Sequence, residues 1–342
     1  MRKFLLPITY PLSLIYRTLI ALRNLFYDLA LFTQNRVDAK VISVGNLSVG
    51  GTGKTPLILY LVNLLSLTEK KISVVTRGYG RISSSPILYL PSEEIDDWQN
   101  SGDEPFLLKK RFKDLTISVD GKRVRGALNA IEKGKSELIL LDDGFQHRSI
   151  TRDLDIVIIE EPKKFKNRFL IPAGRLREPL KSLKRADIIV SMGSETDSAG
   201  IRKYLNSESI LCGGVKEPDL LVELNSDEEL DLSKLNRKKL TAFCGIGDPE
   251  GFRSTLNSFE PAALELLKFS DHHIYSKADL NKITERFLSS DSDILVTTEK
   301  DALKLPSNFF SEIVVYLLRI SFKIRWGREK FNKRVNELLL SE

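Results

Sequence analysis

Short β-branched apolar runs alternate with amphipathic stretches along most of the chain. "KVISVG" (40–45), "KISVVT" (71–76), "LTISVD" (115–120), "SELILLDD" (136–143), "DIVIIE" (155–160) and "ADIIVS" (186–191) are nearly unbroken apolar runs. Strands covered on both faces read this way, because neither face needs polar residues. Helical spacing marks residues 56–67 and 124–133 between them. The alternation predicts an α/β fold of the P-loop NTPase type: a mostly parallel sheet with helices on both faces. Polar residues at 193–209 and charge-rich ones at 217–239 place a boundary near residue 210. Beyond it a second, smaller α/β unit is predicted. It has strands at 239–247, 265–273, 293–298 and 312–320, a helix behind the Asp248-Pro249 cap, and another over 276–289. The expected organisation is a helical segment 1–35, a P-loop unit 36–210 and a C-terminal unit 211–342.

The opening segment has a different pattern. "FLLPITYPLSLIY" is uncharged over 13 residues and contains Pro7 and Pro11, short of the roughly 20 apolar residues a spanning helix needs. A helix from Leu12 onward would put Leu12, Ile15, Tyr16, Leu19, Leu22, Phe26 and Ala30 on one side. Arg17, Asn24 and Asp28 would lie opposite, with Arg23 a misfit whose long stem can snorkel. A helix lying on a membrane surface is expected, with docking on the protein's own core and a true span as the alternatives. Arg2, Lys3, Arg17 and Arg23 suit an anionic leaflet. Such a segment would contribute attachment and not chemistry.

Composition narrows the class. At 342 residues with 42% apolar and 29% charged side chains, the chain is globular. Its net charge of +6 suits phosphates, acidic headgroups or nucleic acid. Cys212 and Cys244 are too far apart in sequence to read as a metal-ligand pair, so they are expected to be buried or idle thiols.

The chemistry begins at "VGNLSVGGTGKTP" (44–56). The general pattern of a phosphate loop would want glycine at 48, where the chain has Ser48; Gly50, Gly51 and Gly53 supply the flexibility instead. Backbone N–H groups of Gly50, Gly51, Thr52 and Gly53 would close on phosphate oxygens at the positive end of a helix. Lys54 would reach the β/γ-phosphates, and Thr55 would offer its hydroxyl to Mg²⁺. Asp142 and Asp143, ending a buried strand, supply the acidic half of such a site, able to hold Mg²⁺ directly or through water. No guanine-reading stretch is visible, since "TTEKD" (297–301) has the wrong order, so ATP is the expected nucleotide.

A kinase also needs a group to take the acceptor's proton. Asp103 and Glu104 in "SGDEPFLL" are candidates, although such a pair can simply cap a helix. The three histidines are His147, just past Asp142, and the neighbours His272 and His273 behind Asp271. A histidine meeting Asp103 across a cleft would form an acid–base couple. Without that, a regulatory NTPase or a non-catalytic nucleotide sensor remains open.

The ordered set "VGNLSVGGTGKTP", "TRGYGR", "GDEP", "LDDGFQH", "PAGRLREP", "AFCGIGDPEGF", "DHH" and "TTEKDALKL" resembles the tetraacyldisaccharide 4'-kinase family over nearly the whole chain. The resemblance implies transfer of the ATP γ-phosphate to the 4'-hydroxyl of an acylated glucosamine disaccharide 1-phosphate, giving lipid IVA in lipid A biosynthesis. The setting it implies is the cytoplasmic face of the bacterial inner membrane, with no nucleic-acid or protein partner. It further implies that Asp103 acts as base together with His272, and that Lys54, Thr55, Glu104, Asp142 and Asp143 serve nucleotide and Mg²⁺. Gln146 and His147 fall in its "DDGFQH" stretch. The chain departs from the family at "SMG" (191–193), where threonine-lysine would be expected. Basic clusters "PKKFKNRF" (162–169) and "RLREPLKSLKR" (175–185) are candidate binders of the 1-phosphate or of anionic lipid. Among the arginines, Arg77 and Arg175 are preferred, because a guanidinium fork suits phosphate.

Overall fold

The computed structural model describes residues 2–50, 53–95, 97–160, 169–306, 309–310 and 312–340. In chain order the strands are β1 (Lys40–Asn46), β2 (Ile72–Thr76), β3 (Ile87–Tyr89), β4 (Thr116–Val119), β5 (Leu138–Asp142), β6 (Leu154–Ile159) and β7 (Ile188–Ser191). They continue as β8 (Ile210–Glu223), β9 (Glu229–Leu230), β10 (Lys239–Cys244), β11 (Ala263–Lys268), β12 (Ile294–Thr298) and β13 (Val315–Trp326). The α-helices are α1 (Arg2–Asp28), α2 (Lys54–Leu65), α3 (Trp98–Ser101), α4 (Asp103–Arg111) and α5 (Arg123–Gly134). After them come α6 (Glu195–Ser198), α7 (Pro249–Asn257), α8 (Lys277–Ser289), α9 (Glu299–Ala302) and α10 (Arg328–Leu340).

One large sheet runs in the order β11-β10-β12-β13-β8-β7-β6-β1-β5-β2-β4-β3, with β9 on the side of β8. Its pairings are parallel except β8 with β13, β8 with β9, and β3 with β4. The chain is therefore a mixed α/β protein with a large, mostly parallel sheet. Helices cover both faces of the first half. Leu57, Leu61 and Leu65 of α2 pack with Ile42, Val74 and Ile156 in one buried cluster. Ala127 and Ala130 of α5 pack with Val75 and Leu141 in another.

Two strands carry the sheet across the boundary near residue 210. Strand β8 pairs with β7 over Ile210–Gly213 and with β13 over Gly213–Glu223. Its centre alternates half-exposed and exposed residues, because only a ribbon of two strands surrounds it there. The charge of "VKEPD" therefore hides a strand. Helix α10 then returns to the first half, where Phe331, Val335 and Leu338 join the cluster around α2.

Further differences from the sequence reading have local causes. Helix α1 begins at Arg2 and includes Pro7 and Pro11, ahead of the expected start at Leu12. Strand β11 ends at Lys268, so Asp271, His272 and His273 lie in the turn beyond it. Helix α1 docks on the protein through its polar edge, and not through the side that carries Leu12, Ile15 and Leu19. Ser13 donates to the Leu170 carbonyl (2.8 Å), Tyr16 to that of Arg177 (3.1 Å), and Asn24 to Glu178 (2.9 Å). Arg23 donates to the Gln146 carbonyl, and the Arg23 and Arg148 guanidiniums both approach the Tyr27 ring. Tyr16 thus faces the protein, and Arg23 is a docking residue. Leu12, Ile15, Leu19, Leu22 and Phe26 stay exposed, as do Ile8, Leu14, Leu25, Leu29 and Leu31. Among the described residues, no helix is long and apolar enough to cross a membrane.

Candidate active site

Strand β1 ends one residue short of Leu47, and the loop after it delivers Gly53 in the left-handed region (φ 74°) as the residue before α2. That conformation favours glycine, and it aims the first turn of α2, with Lys54 and Thr55, at the end of the sheet. Gly51 and Thr52 lie outside the described residues. Gly50 sits against Arg175, whose Nη2 donates to the Val49 carbonyl at 3.0 Å.

Strand β5 ends on Asp142, whose Oδ2 accepts from Thr76 Oγ1 at 2.7 Å, while Oδ1 is buried with no hydrogen-bond partner. Burial raises its pKa first, and the nearby Glu104 and Asp143 carboxylates add to this, bringing it to about 6. Asp143 is held the other way: burial is outweighed by Lys54, 3.4 Å from Oδ1, and by Arg177, 2.6 Å from Oδ2.

Helix α4 places the other two carboxylates. Gly102 precedes it at φ 96°, and a Cβ there would come within 3.1 Å of the backbone of Gly78 and Tyr79. The close approach brings the "TRGYG" loop against the start of α4. Asp103 and Glu104 occupy the first turn but cap nothing; their side chains reach across the cleft. Glu104 Oε1 accepts from Thr55 Oγ1 (2.5 Å) and from Lys300 Nζ (2.7 Å). Its pKa is lowered: burial opposes, and the Lys300 ammonium wins.

Asp103 Oδ2 meets His272 Nδ1 at 2.7 Å, and Lys304 Nζ lies 3.6 Å from the same oxygen. Burial would raise Asp103, yet the hydrogen bond to His272 and the ammoniums of Lys300 and Lys304 hold it down at about 2. The hydrogen bond to Asp103 lifts His272 above its usual 6.5, against the effect of burial. Asp103 is 4% exposed and the imidazole 34%, with its Nε2 3.9 Å from Asp271 and the Tyr79 ring beside it (centroids 5.2 Å apart). The imidazole is therefore the half of the couple that faces a ligand.

The neighbouring His273 does not share this position. It stacks on Phe269 and reaches Asp279 at 3.2 Å, inside the Ser276/Asp279 capping box of α8. The other predicted residues among those described are not bonded to the Asp103–His272 couple. Arg77 is exposed just past β2. Gln146 uses its amide to donate to the Asn46 carbonyl (2.9 Å), tying the "DDGFQH" turn to β1. His147 is half-buried, and burial, with the Arg123 guanidinium, lowers it to about 4, leaving it neutral. In the first basic cluster, residues 162–168 lie outside those described. Cys212 and Cys244 are buried and free, as expected.

Sequence reasoning gave no role to Lys300 and Lys304, and placed Arg177 only within a basic cluster, not beside Asp143. The available signal was "TTEK" at the end of β12, a charged pair just past a buried strand, as at Asp142. The stretch was read as out of order for guanine recognition and as part of the family resemblance, which gave no role to its lysines.

A lysine and threonine at a helix start, facing carboxylates beside an acid–base couple, define a phosphoryl-transfer enzyme: a transferase of the kinase class. A sequence model described as tetraacyldisaccharide-1-P 4'-kinase matches residues 5–340. A tetraacyldisaccharide 4'-kinase of Syntrophus aciditrophicus is 36% identical, with 96% of this chain and 91% of that protein covered. The one of Aquifex aeolicus is 34% identical over 98% of each. A crystal structure of LpxK from Aquifex aeolicus in complex with ATP matches with a TM-score of 0.79 at 32% identity, covering 98% of this chain and 99% of that one. The chain belongs to the tetraacyldisaccharide 4'-kinase family.

Proposed function

We propose that this protein transfers the γ-phosphoryl group of ATP to the 4'-hydroxyl of a tetraacylated glucosamine disaccharide 1-phosphate, giving lipid IVA in lipid A biosynthesis. The observation that carries the reading is the 2.7 Å Asp103–His272 couple one residue from Glu104, which is itself bonded to Thr55 at the head of α2. Donor and acceptor machinery thus meet on one turn of helix. The unit 36–210 would hold the nucleotide, with Gly50, Gly51, Thr52 and Gly53 around its phosphates and Lys54 on the oxygens that gain charge. The unit 211–342 lends His272.

As the acceptor oxygen attacks phosphorus, its proton passes to the couple and rests on His272, the stronger base of the two. Ionised Asp103 orients the ring through Nδ1 and stabilises the imidazolium. The residues also fit Mg²⁺. Asp142 keeps a buried, unpartnered oxygen among like charges that a cation would relieve. Among the described residues no three acidic, histidine or cysteine side chains form a metal cage. Mg²⁺ needs none, since it retains water and phosphate oxygens and takes one or two carboxylates. Thr55, Glu104, Asp142 and Asp143 would hold it, and its charge would stabilise the phosphates during transfer. Arg77, Arg175, Gln146 and His147 would meet the lipid's sugar and 1-phosphate.

Helix α1 would lie on the cytoplasmic face of the inner membrane. Its polar edge is spent on docking, so the exposed leucines and isoleucines remain for the acyl region. Ile15→Asp with Leu19→Asp should abolish sedimentation with anionic phospholipid vesicles and leave ATP binding intact, because neither side chain touches the protein core. Sedimentation equal to wild type would remove the membrane role.

The function itself is tested by single turnover with γ-labelled ATP and the disaccharide 1-phosphate lipid. Label in the lipid, released by mild phosphomonoesterase from the distal sugar, is expected. Label appearing only as inorganic phosphate would make the protein an NTPase.

A further inference from the structure

Between the head of α2 and the acid–base couple stands a cation contributed by the other half of the chain. Lys300 lies in α9, directly after β12, and its Nζ is 2.7 Å from Glu104 Oε1, the oxygen that also accepts from Thr55. Glu104 follows Asp103 in sequence, and Asp103 holds His272. A phosphoryl group travelling from the Lys54–Thr55 turn to an oxygen beside His272 therefore crosses the place where this ammonium sits.

The backbone on either side of Lys300 is fixed. Glu299 is clasped by Arg111, the last residue of the same helix that carries Glu104, with Nε 2.7 Å from Oε1 and a second contact from Nη2 to Oε2. Asp301 accepts from Thr298 Oγ1 at 2.6 Å and from the Gly245 N–H at 3.1 Å, which ties α9 to the end of β10. Only the four-carbon stem of Lys300 is left to move, and its side chain is 27% exposed. Lys304, by contrast, is 2% exposed and packed behind Asp103.

We propose that Lys300 is a catalytic cation, held beside Glu104 where it can reach the transferring phosphoryl oxygens of ATP. The inference rests on the kinase function proposed above. In the step it assists, the acceptor oxygen forms a bond to Pγ while the bond from Pγ to the β,γ-bridging oxygen breaks. That electron pair leaves with ADP, and the acceptor's proton goes to the Asp103–His272 couple. Charge accumulates on the equatorial oxygens, where a preorganised cation lowers the barrier more than it strengthens ground-state binding.

The test uses the full-length Lys300→Cys chain, before and after alkylation with 2-bromoethylamine, which rebuilds a lysine-like amine on the introduced thiol. The native thiols are poor competitors, because both are buried and burial pushes each to about 12. Lys300→Cys should lower kcat by about a hundredfold or more while the equilibrium Kd for ATP changes by less than about threefold. Alkylation should then recover at least about tenfold in kcat. Unchanged kcat, a loss seen wholly as weaker ATP binding, or a loss that alkylation does not reverse would each overturn the proposal. Should the thiol variant fail to fold, Lys300→Met gives the same kcat-against-Kd comparison, and failure of both to fold would make the residue structural and end the proposal. A wild-type chain that never labels the lipid would instead overturn the function beneath it, and Lys300's part with it.

Discussion

Asp103→Ala and His272→Ala should each lower kcat by about 10²–10⁴-fold, the range of a positioned acid–base group. The double variant should be little worse than either single one, because an orienting carboxylate without its imidazole has nothing left to orient. Losses that multiply would mean two independent roles. The pH profile gives a second reading of the same unit. His272 must be neutral to accept a proton, and its pKa is raised above 6.5, so kcat/KM should climb through a pKa above that value. Asp103→Asn removes the largest cause of the raise, and the rising limb should move to lower pH. For stability the signs differ between the partners. The His272 contribution is fully present below 6.5 and fades as pH rises through its raised pKa. That of Asp103 is present above 3.8 and is lost as pH falls toward about 2. His273→Ala should leave kcat near wild type, since that ring serves the cap of α8 and costs about 1 kcal/mol of stability at most.

Lys54→Ala should be comparably severe, a kcat loss of about 10²–10³-fold with the fold retained. Its ammonium sits 3.4 Å from Asp143 at the positive end of α2, where a β/γ-phosphate would displace the carboxylate as its partner. The variant would leave Asp143 with Arg177 alone, so the turn persists while the phosphate loses its cation. Circular dichroism should match wild type, and single-turnover labelling should show the loss. Turnover within a few-fold of wild type would take the loop out of the chemistry.

Much of the scaffold was legible because it obeys local rules. Strands β1, β2 and β4–β7 are apolar on both faces, and continuous apolar runs announce such strands whatever surrounds them. The start of α8 was visible for a similar reason, since Ser276 and Asp279 satisfy each other's backbone within four residues. Strand β8 escaped notice because its middle lies in a two-stranded ribbon with little cover, so its composition resembles a linker. The docked edge of α1 escaped for the opposite reason: periodicity marked an apolar side suited to a membrane, and gave no sign that the polar side would dock on the protein. Polar contacts with the carbonyls of Leu170, Arg177 and Gln146 decide that orientation. Nothing in residues 1–28 encodes where those carbonyls will be.

The site divides along the same line. Local sequence was enough to show which residue types stand at the ends of strands and the starts of helices: Lys54 and Thr55 after a glycine turn, Asp142 after a buried strand, Asp103 and Glu104 before an apolar helix. These follow from short-range geometry, where neighbours in the chain are neighbours in space. Residue patterns left open which histidine meets Asp103 until the family resemblance pointed to His272, and the contact of Lys300 with Glu104, 196 positions away, came from the fold alone. Both pairings are made when the long ribbon of β8 and β13 brings α9 and the turn after β11 over the start of α4. Charges that meet by such a path leave no periodic trace in the sequence, since their partners are set by where the sheet ends.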